Sequence, residues 1–406
     1  MKKLVLFVVV ILLAGSLYKF EKGRRTQAAA AAAAAAKAVP KPVAAVGLLS
    51  AGTDHVLAVN ENADIYGWGS NQSQALGLGR QPTVPVPTRL SSGMAVGYVY
   101  AGRSASYAIT TSNRLLRRPF SSVDCRHTEC GVTSYSWFYP EMTWRWVKEA
   151  WGLVAAIDTE DNLWVWREPV SRLERPEDVK RVQVSPQNRW KDVCIGTDKI
   201  YAVAVDGSLW KYEGRFPDAR ALGERGLALS PVKIEARLEH VYCRDQAEHV
   251  LALDTAGRLW GFGTNTHSEL GDGDGDRFTP SKPVAEAQMK QVSDKHWIDI
   301  AVGPGFTLGV AADGSLWGWG LNSFGQTGAG EQSGHDRPTL VDRTRVWVAV
   351  VAGFKFGAAL TRDGEIYTWG ENTAGVLGDG GAAAMRTTPT RIFDSQRWAV
   401  ATAEGS

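Results

Sequence analysis

Short apolar runs alternate with polar residues along most of the chain, and turn dipeptides divide them into pairs. Val203-Ala-Val leads through Asp206-Gly207 into Leu209-Trp210-Lys-Tyr212, and Leu251-Ala-Leu leads through Ala256-Gly257 into Leu259-Trp260-Gly-Phe262. A two-residue period puts one face of each run inward and predicts strands. Asp-Gly between two such runs is the strongest short-range signal for a hairpin. The hairpin recurs at Asn62-Ala63, Ser112-Asn113, Glu160-Asp161, Asp206-Gly207, Ala256-Gly257, Asp313-Gly314 and Asp363-Gly364. Ten residues before each turn lies a slot held by Gly52, Gly102, Ala150, Gly196, Gln246, Gly303 and Gly353. Repetition at about 50 residues marks a propeller or a solenoid. No copy holds a run of apolar positions at helical spacing, which disfavours a helical solenoid.

A second fixed position lies six residues before the slot and predicts a further strand leading into it. Trp144, Trp190, Trp297 and Trp347 occupy it, with Val46, Val96 and His240 in copies one, two and five. Trp398-Ala-Val-Ala-Thr-Ala403 repeats Trp347-Val-Ala-Val-Val-Ala352, yet no hairpin follows it. A leftover strand of this kind is expected to complete the first blade and close a ring, which removes free sheet edges.

Copies one, five, six and seven end in Gly-rich tails. These are Trp68-Gly-Ser-Asn71, Phe262-Gly-Thr-Asn265, Trp319-Gly320-Leu-Asn322 and Trp369-Gly370-Glu-Asn372, running on to Leu76-Gly77, Leu270-Gly271, Gly325-Gln326 and Leu377-Gly378. With Ala51-Gly52-Thr-Asp-His55, the tails resemble the repeat of the RCC1 (regulator of chromosome condensation) family. The resemblance implies an all-β fold: a seven-bladed β-propeller over residues 46–406, closed by a C-terminal strand. Copies two, three and four lack the tail, and Arg117-Arg118-Pro, Trp166-Arg-Glu-Pro and Tyr212-Glu-Gly stand in its place.

Outside the repeats the chain has a different character. Lys2 and Lys3 precede the apolar run Leu4 to Leu13, and Ala14, Gly15 and Ser16 follow, so residues 1–20 read as a signal peptide or a signal anchor. Residues 21–45 are an Ala/Pro/Lys-rich linker, a semi-rigid stalk that favours the anchored form. Either form places the propeller outside the cytoplasm, as a membrane-anchored or a secreted, periplasmic protein. Forty-five basic residues against 43 acidic ones leave a net charge of +2, which offers no basic face to nucleic acid.

Four cysteines in an exported chain suggest disulfides. Cys125 and Cys130 enclose a short loop and are expected to bond. Cys194 and Cys243 lie two and three residues before their slots. On ideal strands that offset turns them to opposite faces, so a bond needs a bulge, and buried thiols are the alternative.

Candidate chemistry is sparse. His55 and His249 share a slot with Ala105, Leu153, Lys199, Phe306 and Phe356, which points to packing rather than to ligation. Asp272, Asp274 and Asp276 alternate as calcium ligands do, but they fall where the family's tail turns and lack a distal Glu, which favours a structural turn. The stretch Arg117 to Trp146, between copies two and three, is the most suggestive. Its surplus aromatics Tyr135, Trp137, Phe138 and Tyr139 form the expected binding loop, unless they cover apolar surface that the missing tails leave bare.

Nothing in the repeats assembles a nucleophile, a base and an oxyanion donor. The leading reading is a non-enzymatic, monomeric scaffold that needs no cofactor or metal and binds an unidentified protein partner. The resemblance is to bacterial members acting through protein contacts, including a secreted propeller that inhibits β-lactamases. It also implies an alternative, nucleotide exchange on a small GTPase. The aromatic loop suggests a second alternative, a cell-wall or carbohydrate-binding propeller.

Overall fold

The computed structural model describes residues 47–400, apart from 73–74, 80, 91–92, 104, 119–135, 138–140, 169–178, 219–220, 223–225, 275–282, 382 and 394–395. The described residues belong to one body, Ala44–Ala401. Antiparallel strands follow one another in chain order. The first unit pairs β1 (Leu49–Ala51), β2 (His55–Val59), β3 (Ile65–Ser70) and β4 (Thr83–Arg89). The second pairs β5 (Val96–Ala101), β6 (Ser106–Thr110), β7 (Leu115–Arg118) and β8 (Ser136–Trp137). The third holds β9 (Trp144–Ala150), β10 (Leu153–Asp158), β11 (Leu163–Arg167) and β12 (Val182–Val184). The fourth holds β13 (Trp190–Ile195), β14 (Lys199–Ala204), β15 (Leu209–Glu213) and β16 (Ser230–Val232).

A seven-stranded sheet follows: β17 (Leu238–Tyr242), β18 (His249–Asp254), β19 (Arg258–Gly263), β20 (Lys290–Gly303), β21 (Phe306–Ala311), β22 (Leu316–Gly320) and β23 (His335–Asp342). The first half of β20 pairs with β19, and Trp297–Gly303 pairs with β21. The sheet therefore contains two four-stranded units, the fifth and sixth, sharing one long strand. The last unit pairs β24 (Trp347–Ala352), β25 (Phe356–Thr361), β26 (Ile366–Glu371) and β27 (Met385–Arg391).

The core lies between the sheets. Leu153 and Ala155 of the third unit pack with Val193 and Ile200 of the fourth, and Val56 and Trp68 of the first pack with Phe356 and Leu360 of the last. Each sheet is thus buried on both faces, which is why the middle strands read as continuous apolar runs.

One backbone hydrogen bond repeats around the ring. The second residue of each hairpin turn is left-handed, whether Gly (Gly207, φ 87°) or not (Ala63, φ 60°; Asn113, φ 61°; Asp161, φ 66°). Its carbonyl accepts the N–H of the residue that leads into the next unit. The leading residues are Val96, Trp144, Trp190, Leu238, Trp297, Trp347 and finally Trp398, at 2.7–3.2 Å. In the fifth unit this residue is Leu238, not the His240 expected from spacing. Trp190 pairs with Ala204 and Leu238 with Asp254, so the fifth hairpin encloses two more residues and the fixed spacing slips.

Closure also differs in detail from the expected terminal strand. β1 already fills most of the inner row of the first sheet, and among the described residues the terminal segment adds a single antiparallel bridge, Asn60↔Trp398; residues 401–403 of the expected strand lie outside them. Trp398 occupies the place that Trp297 and Trp347 hold in their own units. Its ring packs on Tyr66 at 5.4 Å and Trp68 at 6.1 Å, as Trp297 packs on Trp317 and Trp319. Trp398→Ala should lower unfolding stability by about 3–5 kcal/mol, read from urea melts, because it removes a buried aromatic and the ring's closing wedge. A loss under about 1 kcal/mol would refute that role.

Candidate functional site

In an up-and-down sheet every second connection emerges on the same side. The slot turns between first and second strands therefore share one face with the tail loops between third and fourth, and the hairpin turns lie on the other. The slot favours glycine because the side chain three residues on folds back over it. A Cβ on Gly353 would sit 1.8 Å from the Phe356 ring. His55 and His249 occupy the Phe356 position in their units and are packing groups. His249 is fully buried, its Nε2 lies 3.2 Å from Thr307 Oγ1, and burial pushes its imidazole down to about 3.

Tail residues tie neighbouring units together. Asn71, Asn265, Asn322 and Asn372 brace their own loops, each accepting from a backbone N–H five residues on at 2.9–3.1 Å. The indoles of Trp68, Trp319 and Trp369 each donate at 2.9 Å to the tail carbonyl of the preceding unit: Val376, Glu269 and Gln326. Asp272 belongs to this frame. It accepts from Asn265 Nδ2 at 3.1 Å and pairs with Lys290 at 2.7 Å, just as Asp379 takes Asn372 and Arg386. Asp274 pairs with the same Lys290, and Asp276 lies outside the described residues.

The inner strands surround a cavity of about 160 Å³. Side chains link its staves: Asp192 and Asp299 accept the N–H of Val241 and Val350 at 3.0 and 2.9 Å, and Tyr98 and Tyr100 donate to the carbonyls of Val147 and Glu149. Burial pushes the Asp299 carboxyl up to about 7. Cys194 and Cys243 also line the cavity and are disulfide-bonded. The one-position offset that argued against this bond is what allows it. The two strands belong to sheets stacked face to face, so residues on opposite faces of equivalent strands meet in the seam. The bond joins the fourth and fifth units, where Phe262 replaces the tail tryptophan and has no N–H to donate.

Where the tails are missing, the slot face changes. In the third unit Trp151 and Gly152 form a two-residue turn between β9 and β10, both with positive φ (53° and 69°). Asn-Gly is the usual choice there, and a bulky residue in the left-handed region costs about 1–2 kcal/mol. Trp151 is nonetheless 44% exposed. The Arg103 guanidinium stacks on its ring at 3.8 Å and pairs with Asp245 at 2.9 Å. Arg167 holds the turn from the other side, donating to Trp151 O at 3.0 Å and to the carbonyls of Phe216 and Pro217. Tyr107 and Arg117 both engage the buried Glu168 beneath.

The aromatic stretch singled out in the sequence is divided by the fold. Arg117 lies in β7, Trp144 and Trp146 lie in β9, and Trp137 lies in β8, where its backbone pairs with Leu116. The interruption thus sits inside the second sheet, between its third and fourth strands, and not between two repeats. Tyr135, Phe138, Tyr139, Cys125 and Cys130 lie outside the described residues.

Comparison with known proteins agrees with this geometry. The family model described as regulator of chromosome condensation (RCC1) repeat matches residues 62–109, 313–360 and 363–405, and a second model of the same description matches 297–326 and 347–376. The chain carries RCC1 repeats. The ultraviolet-B receptor UVR8 of Arabidopsis thaliana is 25% identical over 302 residues, 72% of this chain and 57% of the receptor. The human E3 ubiquitin-protein ligase HERC2 is 24% identical over 302 residues, but these make up 5% of the ligase. The RCC1-repeat chain therefore spans little more than half of the first relative and a small part of the second. Among solved structures, Prp20p of Saccharomyces cerevisiae superposes with a TM-score of 0.64 at 16% identity, covering 86% of this chain and 87% of that one. Yeast RCC1 (Prp20) bound to Kap60 gives 0.62 at 15% identity, covering 86% and 85%. The fold is an RCC1-like β-propeller.

Trp151, Arg167, Arg244 and Asp245 fall in the stretch that neither repeat model matches. They carry no recognisable motif. The available signal was that Ala150 and Gln246 break the slot glycine, with Trp and Asp beside them. Trp151→Asn should leave the fold intact and raise its stability by about 0.5–1 kcal/mol in urea melts, since Asn tolerates the left-handed turn. Destabilisation by that substitution would mean that the indole serves packing instead.

Proposed function

We propose that this RCC1-repeat propeller is a non-enzymatic protein-binding module whose working surface is the slot face of the second to fifth units. The observation that carries this reading is Trp151: a large aromatic held exposed against its own backbone preference, with an arginine stacked on it. Trp and Arg dominate the energetics of protein interfaces. Local strain of this kind persists where the position serves something other than stability. Proteins of the same fold bind protein partners: yeast RCC1 (Prp20) has been solved with Kap60 bound, and Prp20p is described with its binding properties to Gsp1p and histones. The exchange-factor alternative rests on the shared fold alone.

A photo-crosslinking residue placed at Trp151 should yield covalent adducts with a cellular protein, and the same residue at Val205 should not. Val205 is 52% exposed on the hairpin-turn face. Adducts from Val205 alone would sink the assignment of the face.

We further propose that residues 1–20 direct the propeller out of the cytoplasm. The charged and apolar pattern of that segment supports this, and so does the Cys194–Cys243 bond, because disulfides persist in oxidising compartments. Among the described residues no helix is long and apolar enough to cross a membrane, and residues 1–20 and 21–45 lie outside them. Fractionation of the native cell should recover the protein outside the cytosol, with Cys194 and Cys243 resistant to alkylation. A cytosolic protein with both thiols free would end the export reading.

A further inference from the structure

In a ring of repeats each unit ordinarily touches only its neighbours. Two contacts on the slot face break that rule. Arg103 of the second unit pairs with Asp245 of the fifth, and Arg244 of the fifth donates to the carbonyl of Ala352 in the last. Both reach across the mouth of the central cavity, and both come from the fifth unit's long slot turn, residues 243–248. Asp245 is the meeting point. Its Oδ2 takes Arg103 at 2.9 Å, and its Oδ1 lies 3.7 Å from Arg244 Nε. Two guanidinium groups thus share one carboxylate at the rim. Deeper in the cavity lies Lys148, its ammonium 5.4 Å from the Tyr100 ring and without an ion pair among the described residues. The nearby Glu149 carboxylate accepts from Gly152 N through Oε1 at 2.9 Å, and its Oε2 lies against Gly102.

We propose that this mouth is a carboxylate socket for an acidic side chain of the protein partner, with Asp245 holding the place until the partner arrives. The proposal rests on the slot face being the interaction surface. Guanidinium groups match carboxylates through paired N–H donors. Arg103 spends one terminal nitrogen on Asp245 and its flat face on Trp151, and its side chain remains 31% exposed. An incoming carboxylate can therefore take up Arg103 while Asp245 turns out to water, so that one ion pair replaces another. The exposed Trp151 ring beside it offers apolar area to residues flanking the acid. A basic segment would meet two guanidinium groups and be repelled. The partner chemistry that fits is Asp or Glu flanked by apolar residues.

The test uses the full chain and two fluorescein-labelled probes, hexaglutamate and hexalysine, followed by anisotropy at low and at 0.3 M salt. Asp245→Asn should tighten hexaglutamate binding about five-fold, with the gain lost at high salt, and should leave hexalysine unbound. Adding Arg103→Gln should abolish the gain. Near-UV circular dichroism confirms that each variant is folded, and Arg103→Gln alone serves as the reference should Asp245→Asn misfold: it should weaken hexaglutamate binding relative to the native chain. The socket is overturned if Asp245→Asn binds no tighter, or if Arg103→Gln leaves the binding unchanged. Adducts at Trp151 with no gain from Asp245→Asn would leave the interaction face standing and remove the socket. A gain without such adducts would keep a carboxylate site at the mouth and overturn a protein partner as its occupant.

Discussion

The ring depends on one backbone hydrogen bond, repeated at every seam. The second residue of each hairpin turn adopts a left-handed conformation, and its carbonyl takes the N–H of the residue leading into the next unit. This bond sets where each inner strand begins, and therefore which of its residues face each neighbouring sheet. A slip of one residue would exchange the two faces. The fifth unit illustrates the hierarchy: two residues are added between Leu238 and the turn, yet the bond keeps its place and the loop absorbs the change. At the last seam Trp398 accepts the same role from the far end of the chain.

Around this common frame the seams are strengthened in two ways. From the fifth unit through the last to the first, a tail tryptophan of one unit donates to the tail backbone of the unit before it. In the remaining arc the described residues show no such bond, and other chemistry stands in its place. Tyr98 and Tyr100 bond across the second seam, Glu168 gathers Tyr107 and Arg117, and a disulfide joins the fourth and fifth units. For a closed loop of about 50 residues such a bond contributes about 4 kcal/mol by restricting the unfolded chain. The arc released from the tail rule is also the arc that presents Trp151, Arg103 and Asp245. Repeats that obey the pattern tie the ring together through their tails, and repeats that depart from it carry the binding surface proposed above.

The chain by itself determined the repeat, because alternation and Asp-Gly turns are local rules that each copy restates. It determined the hairpins, the leading strand and the packing role of His55 and His249. The outer strands were less legible: Thr83–Arg89 and Met385–Arg391 are partly exposed, and their patterns are weak. Three matters were decided only by tertiary structure. The offset of Cys194 and Cys243 looks unfavourable along one strand and becomes favourable between two stacked sheets, since facing sheets reverse the sense of inward and outward. Among the described residues Trp398 closes the ring through one bridge, because β1 already fills most of the row. The cluster at the mouth joins Arg103 to Asp245 across 142 residues of chain, and a spacing rule built on neighbouring copies cannot foresee a contact that spans the ring.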